Sequence, residues 1–398
     1  AQNIWGAIMV NALLRFVGTR IVPILVIFFA ICLGWLSQQE FPLGVVFATF
    51  FPLRAGQLPS TIVGHGYMTG TPPVPEDMMP RVRPSNEIFK TLPGGYQIPQ
   101  MGIGMCCRSS AYDDVLVYRT VLWYLLLGGR HIDGAHLYLN HAAIGDAIHE
   151  ATTRRGIPRE EIFVTTKIFP THYGYNSTLS TVTKYLEELK LEYLDLVLMH
   201  FPVASIPLMT NDCDREKLSP KECRLNTYRA LSELKHRGLI RNVGVSNFAV
   251  PHLREIQELI DQSKSSLIPV APLALNQFQF NPWAPDFIWE TRQYCLDNNI
   301  AITAYASLGG TLQKAQASTV QALQDIANKH KKTVQQVMLR WAMQSDSIVI
   351  PGTGNPKHME ENLNVYSFQL DDQDMSIINE LKNDQAAKKF FYMPTPKD

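Results

Sequence analysis

The stretch IFVTTKIFPTHYGYNSTLSTVTKYLEELKLEYLDLVLMH, residues 162–200, contains two short apolar runs separated by a helical pattern. The first run ends at Lys167 and the second at His200. Neither run alternates polar and apolar residues, as expected of strands that are covered on both faces. Between them, apolar residues recur at the spacing of one helix face, at Leu179, Val182, Tyr185, Leu186 and Leu189. The stretch therefore predicts a strand–helix–strand unit with parallel strands.

The same alternation continues from about Gly95 onward. Eight strands are predicted, at 101–104, 131–133, 162–167, 194–200, 240–246, 273–278, 300–305 and 347–351. Helices are predicted at 113–127, 142–154, 178–189, 226–235, 250–260, 285–297 and 319–329. Eight such units close naturally into a (β/α)8 TIM barrel, and residues 94–398 have the length of one.

An open, doubly wound α/β sheet is the structural alternative. Such a sheet would normally carry a glycine-rich phosphate loop after its first strand. Here Gly102 and Gly104 are followed by Met-Cys-Cys, without a third glycine and without a helix start. The sequence therefore favours the closed barrel.

Polar residues follow nearly every predicted strand. In a barrel, active sites lie at the carboxyl ends of the strands. Taken singly, each residue has an ordinary explanation, such as a helix cap, a surface ion pair or a core histidine. Their shared position on one rim favours a functional site. The residues are Asp133, Lys167, His200, Ser246, Asn247, Gln277, Tyr305, Gly352 and Thr353.

Tyr138, in HIDGAHLY, lies five residues after Asp133. A tyrosine is a weak acid near neutral pH unless a nearby cation and a hydrogen-bond partner favour its phenolate. Lys167 can supply that charge, Asp133 can hold the lysine, and His200 can orient a substrate oxygen. These four residues are the predicted catalytic group.

Composition excludes some classes of function. Lysine plus arginine and aspartate plus glutamate both number 36, and no basic stripe indicates nucleic-acid binding. The six cysteines lack zinc-site spacing, and adjacent Cys106 and Cys107 suit neither a metal nor an ordinary disulfide. Cys213 and Cys223 can close a surface loop, but only in an oxidising compartment. Two free thiols are the favoured interpretation there.

The N-terminus differs from the rest of the chain. Residues 21–39 carry no charge, with Arg15 and Arg20 before them and Glu40 after them. Such a run can span the roughly 30 Å hydrocarbon core of a bilayer. It predicts a single transmembrane helix at about 17–39 and the lipid bilayer as a partner. A cleaved signal peptide and a buried core helix are the alternatives.

The domain organisation follows from this pattern. An anchor region is expected at 1–53, a Pro/Gly-rich linker at 54–93, and the barrel with a short C-terminal tail at 94–398. Positive charge on the N-terminal side of the apolar run places the barrel in a lumen or outside the cell. There, the sequon beginning at Asn176 would become usable for glycosylation.

From about Gly95 to Lys382 the chain resembles the aldo-keto reductase family. Seven segments carry the resemblance in order: HIDGAHLYLNHAAIGDAI, FVTTKIF, LDLVLMHFP, VGVSNF, LNQFQFNP, AYASLG and IPGTGNPKHMEENL. The resemblance implies a reductase that transfers hydride from a nicotinamide to an aldehyde or ketone carbon. Tyr138 would be the general acid, with Asp133, Lys167 and His200 completing the tetrad.

The resemblance also implies a cofactor site and a substrate pocket. Met105 and Phe201 would lie on the substrate side, where relatives differ from this chain. No metal is implied. The implied cofactor contacts are Ser246, Asn247, Gln277, Tyr305, Ser307, Leu308, Gly309, Thr353, His358, Glu361 and Asn362.

Two departures bear on the choice of cofactor. NADPH-preferring relatives carry a lysine where this chain has Gly352 and an arginine where it has His358. NADP(H) remains the expected cofactor and NAD(H) the alternative. A non-catalytic nucleotide-binding subunit at a membrane and an NAD-linked alcohol dehydrogenase are the alternative functions. The short segment 309–320 predicts open exchange of the cofactor.

Overall fold

A computed structural model of the chain describes residues 71–107, 113–203, 210–267, 269–309 and 316–384. A two-stranded hairpin is followed by a parallel sheet of eight strands in chain order. The strands are β1 (Phe89–Thr91), β2 (Gln97–Pro99), β3 (Ile103–Gly104), β4 (His131–Asp133), β5 (Phe163–Ile168), β6 (Leu194–Met199), β7 (Ile240–Ser246), β8 (Leu273–Gln279), β9 (Ala301–Tyr305) and β10 (Ser347–Val349).

The sheet closes on itself. Met101, just before β3, forms a parallel bridge with Val349 of β10. The backbone N–H of Gly102 also donates to the Val349 carbonyl at 2.8 Å. The predicted barrel is confirmed, and every predicted strand overlaps an observed one.

Helices cover the outside of the barrel in the described part of the chain. They are α1 (Asp114–Leu126), α2 (His141–Thr153), α3 (Tyr175–Leu189), α4 (Asp212–Arg215), α5 (Pro220–His236), α6 (Val250–Ser263), α7 (Asp286–Asp297), α8 (Ala317–His330), α9 (Val334–Gln344), α10 (Pro356–Leu363) and α11 (Asp372–Glu380). The sequence did not predict α4, α9, α10 or α11. In α9, every residue from Gln336 to Met343 is buried, including the polar Gln336 and Arg340, which interrupt its apolar pattern.

The hairpin fills the amino-terminal end of the barrel. β1 pairs with β2 in antiparallel register. Leu92 and Ile98 belong to one buried cluster with barrel residues that include Phe163, Leu196 and Leu275. The hairpin thus excludes water from the end of the barrel that lies opposite the carboxyl ends of the strands.

Residues 71–93 differ from the extended, poorly packed connector that the sequence predicts. Thr71 is buried and its hydroxyl lies 2.9 Å from that of Thr120. Arg155 donates to the backbone carbonyl of Glu76 at 2.6 Å and of Met78 at 3.1 Å. This segment packs on the outer helices because these side-chain contacts satisfy backbone groups that an extended strand leaves unpaired.

The structure corrects the expectation of free thiols. Cys213 of α4 and Cys223 of α5 form a disulfide with their Cα atoms 5.4 Å apart, and both residues are buried. The sequence could not decide this pairing, because it depends on how the loop after β6 folds back.

The predicted transmembrane helix at about 17–39 lies outside the described residues. Within the described ranges, none of the helices combines the length and the apolar character needed to cross a bilayer.

Buried His131 should make stability depend on pH. Burial, the larger cause, lowers its pKa to about 4, and the Asp133 charge opposes this. The unfolded chain, with a histidine pKa near 6.5, therefore binds a proton that the folded chain resists. Stability should fall as pH drops below about 6.5, by up to ~1.4 kcal/mol per pH unit from this group.

Urea unfolding of the wild type, His131→Gln and His149→Gln between pH 7 and pH 4.5 measures this effect. His149 is exposed on α2 and controls for the loss of one imidazole. We expect a shallower decline in the free energy of unfolding for His131→Gln only. An unchanged slope in that variant would contradict the assignment.

Candidate active site

The four predicted catalytic residues come from three neighbouring strands and one turn. Asp133 ends β4, Lys167 lies one residue before the end of β5, and His200 follows β6 directly. Tyr138 ends a short 3₁₀ turn, His136–Tyr138, just after β4. Parallel strands in register bring their carboxyl ends to one rim, so the residues meet although they are far apart in sequence.

Three non-glycine residues at this rim adopt a left-handed backbone conformation. Leu139, Asn247 and Ala306 have left-handed φ values of 54°, 64° and 49°. They directly follow Tyr138, Ser246 and Tyr305. Non-glycine residues in this region carry a conformational penalty of about 1–3 kcal/mol, and such residues cluster at functional sites. These turns help to place Tyr138, Ser246 and Tyr305 at the rim.

Lys167 is the centre of the site. It is fully buried, and its Nζ lies 2.5 Å from Asp133 Oδ1, 2.9 Å from the Gly134 carbonyl and 3.4 Å from the Tyr138 hydroxyl. Burial lowers the pKa of Lys167, and the Asp133 carboxylate opposes that shift. The other oxygen of Asp133 accepts from Gln277 Nε2 at 2.7 Å. The ammonium is therefore held by a paired carboxylate and directed at the phenol.

His200 sits beside the same phenol. Its ring makes an edge contact with Tyr138 at 6.0 Å between centroids and stacks on Phe201 at 4.6 Å. Burial, then the Lys167 charge, then His136 lower the pKa of His200 well below its usual value. The imidazole is therefore neutral at neutral pH, with one N–H to donate. Its Nδ1 is buried without a hydrogen-bond partner among the described residues.

A cluster of amide and hydroxyl groups lies next to the tetrad. Asn247 Nδ2 donates to the His200 carbonyl at 2.9 Å, and its Oδ1 accepts from Tyr305 at 2.8 Å. The Ser246 hydroxyl donates to the Gln277 carbonyl at 2.9 Å. Ser246, Asn247 and Gln277 are buried, whereas Tyr305 is half-buried. These four predicted cofactor contacts thus form one connected group, named here the amide cluster.

The remaining predicted cofactor residues follow β9 and β10. Ser307 is buried, Leu308 packs against the core, and the Gly309 N–H donates to the Ala306 carbonyl at 2.8 Å. That donor is already used within the turn. The segment 310–315 lies outside the described residues, so the prediction of open cofactor exchange stays a prediction.

A second group lies around the start of α10. The Thr353 hydroxyl is 3.5 Å from His358 Nδ1, and it accepts from the Asn355 N–H at 3.1 Å. Glu361 and Asn362 lie one turn further along α10, both half-buried. His358 and Lys357 are exposed, so both side chains are accessible to an anionic ligand.

The two predicted substrate residues, Phe201 and Met105, have different surroundings in the structure. Phe201 is half-buried and stacks on His200, as an apolar pocket wall requires. Met105 differs, because its side chain is fully buried in the core while its carbonyl accepts from Asn140 at 3.0 Å. Phe169 was missed; its ring contacts both His200 and Phe201 at 6.0 Å. It lies one residue beyond the end of β5 and two residues after Lys167, and the two-residue period of an extended chain was the available signal.

Known proteins share this architecture. The sequence profile of the Aldo/keto reductase family matches residues 100–383. A 9,11-endoperoxide prostaglandin H2 reductase of Trypanosoma cruzi is 35% identical over 74% of this chain and 92% of its own length. A glyoxal reductase of Bacillus subtilis is 32% identical over 74% of this chain and 93% of its own. A Bombyx mori aldo-keto reductase solved with NADP is 27% identical, with a TM-score of 0.63 over 77% of this chain and 95% of that one.

The closed parallel barrel and the buried lysine directed at a tyrosine define an oxidoreductase of the (β/α)8 class. The chain belongs to the aldo-keto reductase family. The Trypanosoma cruzi and Bacillus subtilis relatives are both named as reductases.

Proposed function

We propose that this protein reduces an aldehyde or ketone to an alcohol with NADP(H), using Tyr138 as the general acid. The observation that carries the proposal is the approach of Lys167 Nζ to 3.4 Å from the Tyr138 hydroxyl in a fully buried setting. A non-catalytic nucleotide-binding subunit would not need a buried ammonium in contact with a phenol, because burying a charge is costly in free energy.

The residues fit a nicotinamide. The amide cluster offers hydrogen-bonding groups of both kinds beside the tetrad, and Tyr305 presents a half-buried ring next to Asn247. A carboxamide needs both a donor and an acceptor, which amide and hydroxyl side chains provide. A bound reduced nicotinamide would supply the hydride. The amide cluster would hold the nicotinamide ring next to Tyr138 and His200.

The proton comes from the chain itself. As negative charge grows on the carbonyl oxygen, Tyr138 donates its hydroxyl proton and Lys167 stabilises the phenolate that remains. Neutral His200 donates a hydrogen bond to the same oxygen and helps to fix its position. Positioned proton transfer typically contributes about 10²–10⁴-fold in rate. Hydrogen-bond donors aimed at the developing charge add to this.

The choice of nucleotide rests on exposed groups at α10. A 2′-phosphate is a dianion, and Gly352 offers it no charge. Lys357 and His358 are exposed beside the Thr353 hydroxyl and would take over that role. We therefore propose NADP(H) with weaker phosphate recognition than a lysine and an arginine would give. A KM for NADH below that for NADPH would favour the NAD-linked dehydrogenase instead.

The pocket wall indicates the kind of substrate. The Phe201 ring stacks on His200, and the Phe169 ring contacts His200 in an edge-to-face arrangement. An apolar wall with few polar groups favours the apolar part of a ligand, while Tyr138 and His200 fix its carbonyl. We propose uncharged, apolar aldehydes or ketones as the substrate class.

Turnover by the full 398-residue chain tests the function. NADPH oxidation should be observed with a panel of aliphatic and aromatic aldehydes, and the alcohol should accumulate in equal amount. Binding of NADPH without turnover of any aldehyde would instead identify a non-catalytic nucleotide-binding subunit.

Membrane attachment is a separate proposal that rests on the sequence alone. The uncharged run at 21–39 is proposed to anchor the chain, with the barrel on the lumenal or extracellular side. Protease protection of the barrel in sealed microsomes tests this orientation. Digestion of the barrel by externally added protease would contradict it.

A further inference from the structure

A buried disulfide points to the environment in which this barrel folds. Cys213 and Cys223 are 2% and 0% exposed, and they tie α4 to the first turn of α5. Disulfides of this structural kind form and persist in oxidising compartments and are rare where thiol reductants are abundant. The pair lies in the loop after β6, so it also braces the rim that carries His200.

A second, independent feature lies on the same face of the barrel. Asn176 is exposed in the first turn of α3, which starts at the rim after β5. It begins Asn-Ser-Thr, the only Asn-X-Ser/Thr sequon in the whole sequence. Its side chain makes no hydrogen bond to the described part of the molecule, so nothing there competes for the amide nitrogen.

We propose that Asn176 is a glycosylation site and carries an N-linked oligosaccharide on the catalytic face of the barrel. The donor is an oligosaccharide linked to a lipid through a pyrophosphate. The Asn176 amide nitrogen attacks the anomeric carbon of the first sugar, the bond from that carbon to the pyrophosphate oxygen breaks, and the amide loses one proton. The products are the N-glycoside and the lipid pyrophosphate, with no change in oxidation state.

The contacts of the sequon in the folded barrel indicate that the transfer takes place before folding. The Ser177 N–H donates to Asp212 Oδ2 at 2.6 Å. Thr178 is fully buried, and its hydroxyl donates to the His172 carbonyl at 3.3 Å. A transferase that must contact the threonine hydroxyl cannot reach it once α3 has packed. The glycan is therefore added during translocation, before the barrel closes.

The glycan would lie away from the catalytic residues. Lys167 and Tyr138 lie in the buried interior of the rim, whereas the Asn176 side chain is exposed on the surrounding helix layer. We expect Asn176→Gln to keep the turnover of the wild type within about twofold, because a surface substitution without contacts changes stability little. The modification is thus separable from the reductase activity.

Translation of the full chain with microsomes, followed by peptide N-glycosidase, tests the proposal. Wild type, Thr178→Ser and the control Asn328→Gln should each show a single glycosidase-sensitive band, and Asn176→Gln should show none. Asn328 is exposed on α8 and belongs to no sequon. A wild-type chain without a glycosidase-sensitive band overturns the proposal, and a sensitive band in Asn176→Gln overturns the assignment to this residue.

Two further measurements sharpen the test. Microsomes added after translation should produce no shift, and a shift at that stage would contradict the burial argument from Thr178. Alkylation before and after reduction should show Cys213 and Cys223 protected in the glycosylated chain. Free thiols at both positions in that chain would contradict the oxidising environment on which the proposal depends.

Discussion

Replacing Tyr138 by phenylalanine should lower kcat for aldehyde reduction by about 10²–10⁴-fold, the range for loss of a positioned general acid. The ring and its packing against His200 stay, so only the hydroxyl is lost. The hydrogen bonds within the amide cluster stay in place, so the affinity for NADPH should stay within about twofold of the wild type. Stopped-flow turnover together with fluorescence titration of NADPH measures both quantities.

The matched control for this substitution is Tyr294→Phe. Tyr294 lies on α7 in the outer helix layer and is half-buried. It should keep the wild-type kcat, because it loses the same hydroxyl far from the rim. A Tyr138→Phe protein with nearly normal kcat would remove the acid role from Tyr138.

Replacing Lys167 by methionine should have two large effects at once. The phenolate of Tyr138 loses its cation, so kcat should fall about as far as in Tyr138→Phe. Asp133 is left as a buried carboxylate without its partner, which typically destabilises a protein by about 3–5 kcal/mol. Denaturant unfolding and turnover of the same preparation separate the two losses.

A second substitution distinguishes chemistry from stability. Asp133→Asn in the Lys167→Met background removes the uncompensated charge while Gln277 keeps an oxygen acceptor at that position. Much of the lost free energy of unfolding should return, and kcat should stay low. Recovery of activity in the double variant would show that Lys167 acts only through stability.

Much of the fold was readable from the sequence. Apolar runs such as 194–200 predicted strands covered on both faces, and their regular alternation with helices predicted the barrel. The helix α5 shows where boundaries failed: it begins at Pro220, capped by Ser219 with Glu222, six residues before the predicted start. That capping pattern is present in the sequence and marks the observed start of the helix.

The candidate site was predicted in part. The positions of Asp133, Lys167 and His200 follow from strand ends, because parallel strands place their carboxyl ends at one rim. Phe169, the disulfide of Cys213 and Cys223, and the core position of Met105 were not predicted. The disulfide and the position of Met105 depend on how loops after different strands fold against one another, which local patterns do not encode, whereas Phe169 had a local signal in its position two residues after Lys167.

The sequence by itself determined the class of fold and the set of chemical groups at the rim, because strand periodicity and residue type are local properties. Only the tertiary structure decided that Lys167 lies within reach of both Asp133 and Tyr138, and that His200 is neutral. Those outcomes depend on distances between separate strands and on the exclusion of water around them. Burial and neighbouring charge, which set the pKa of each group, exist only after the barrel has closed.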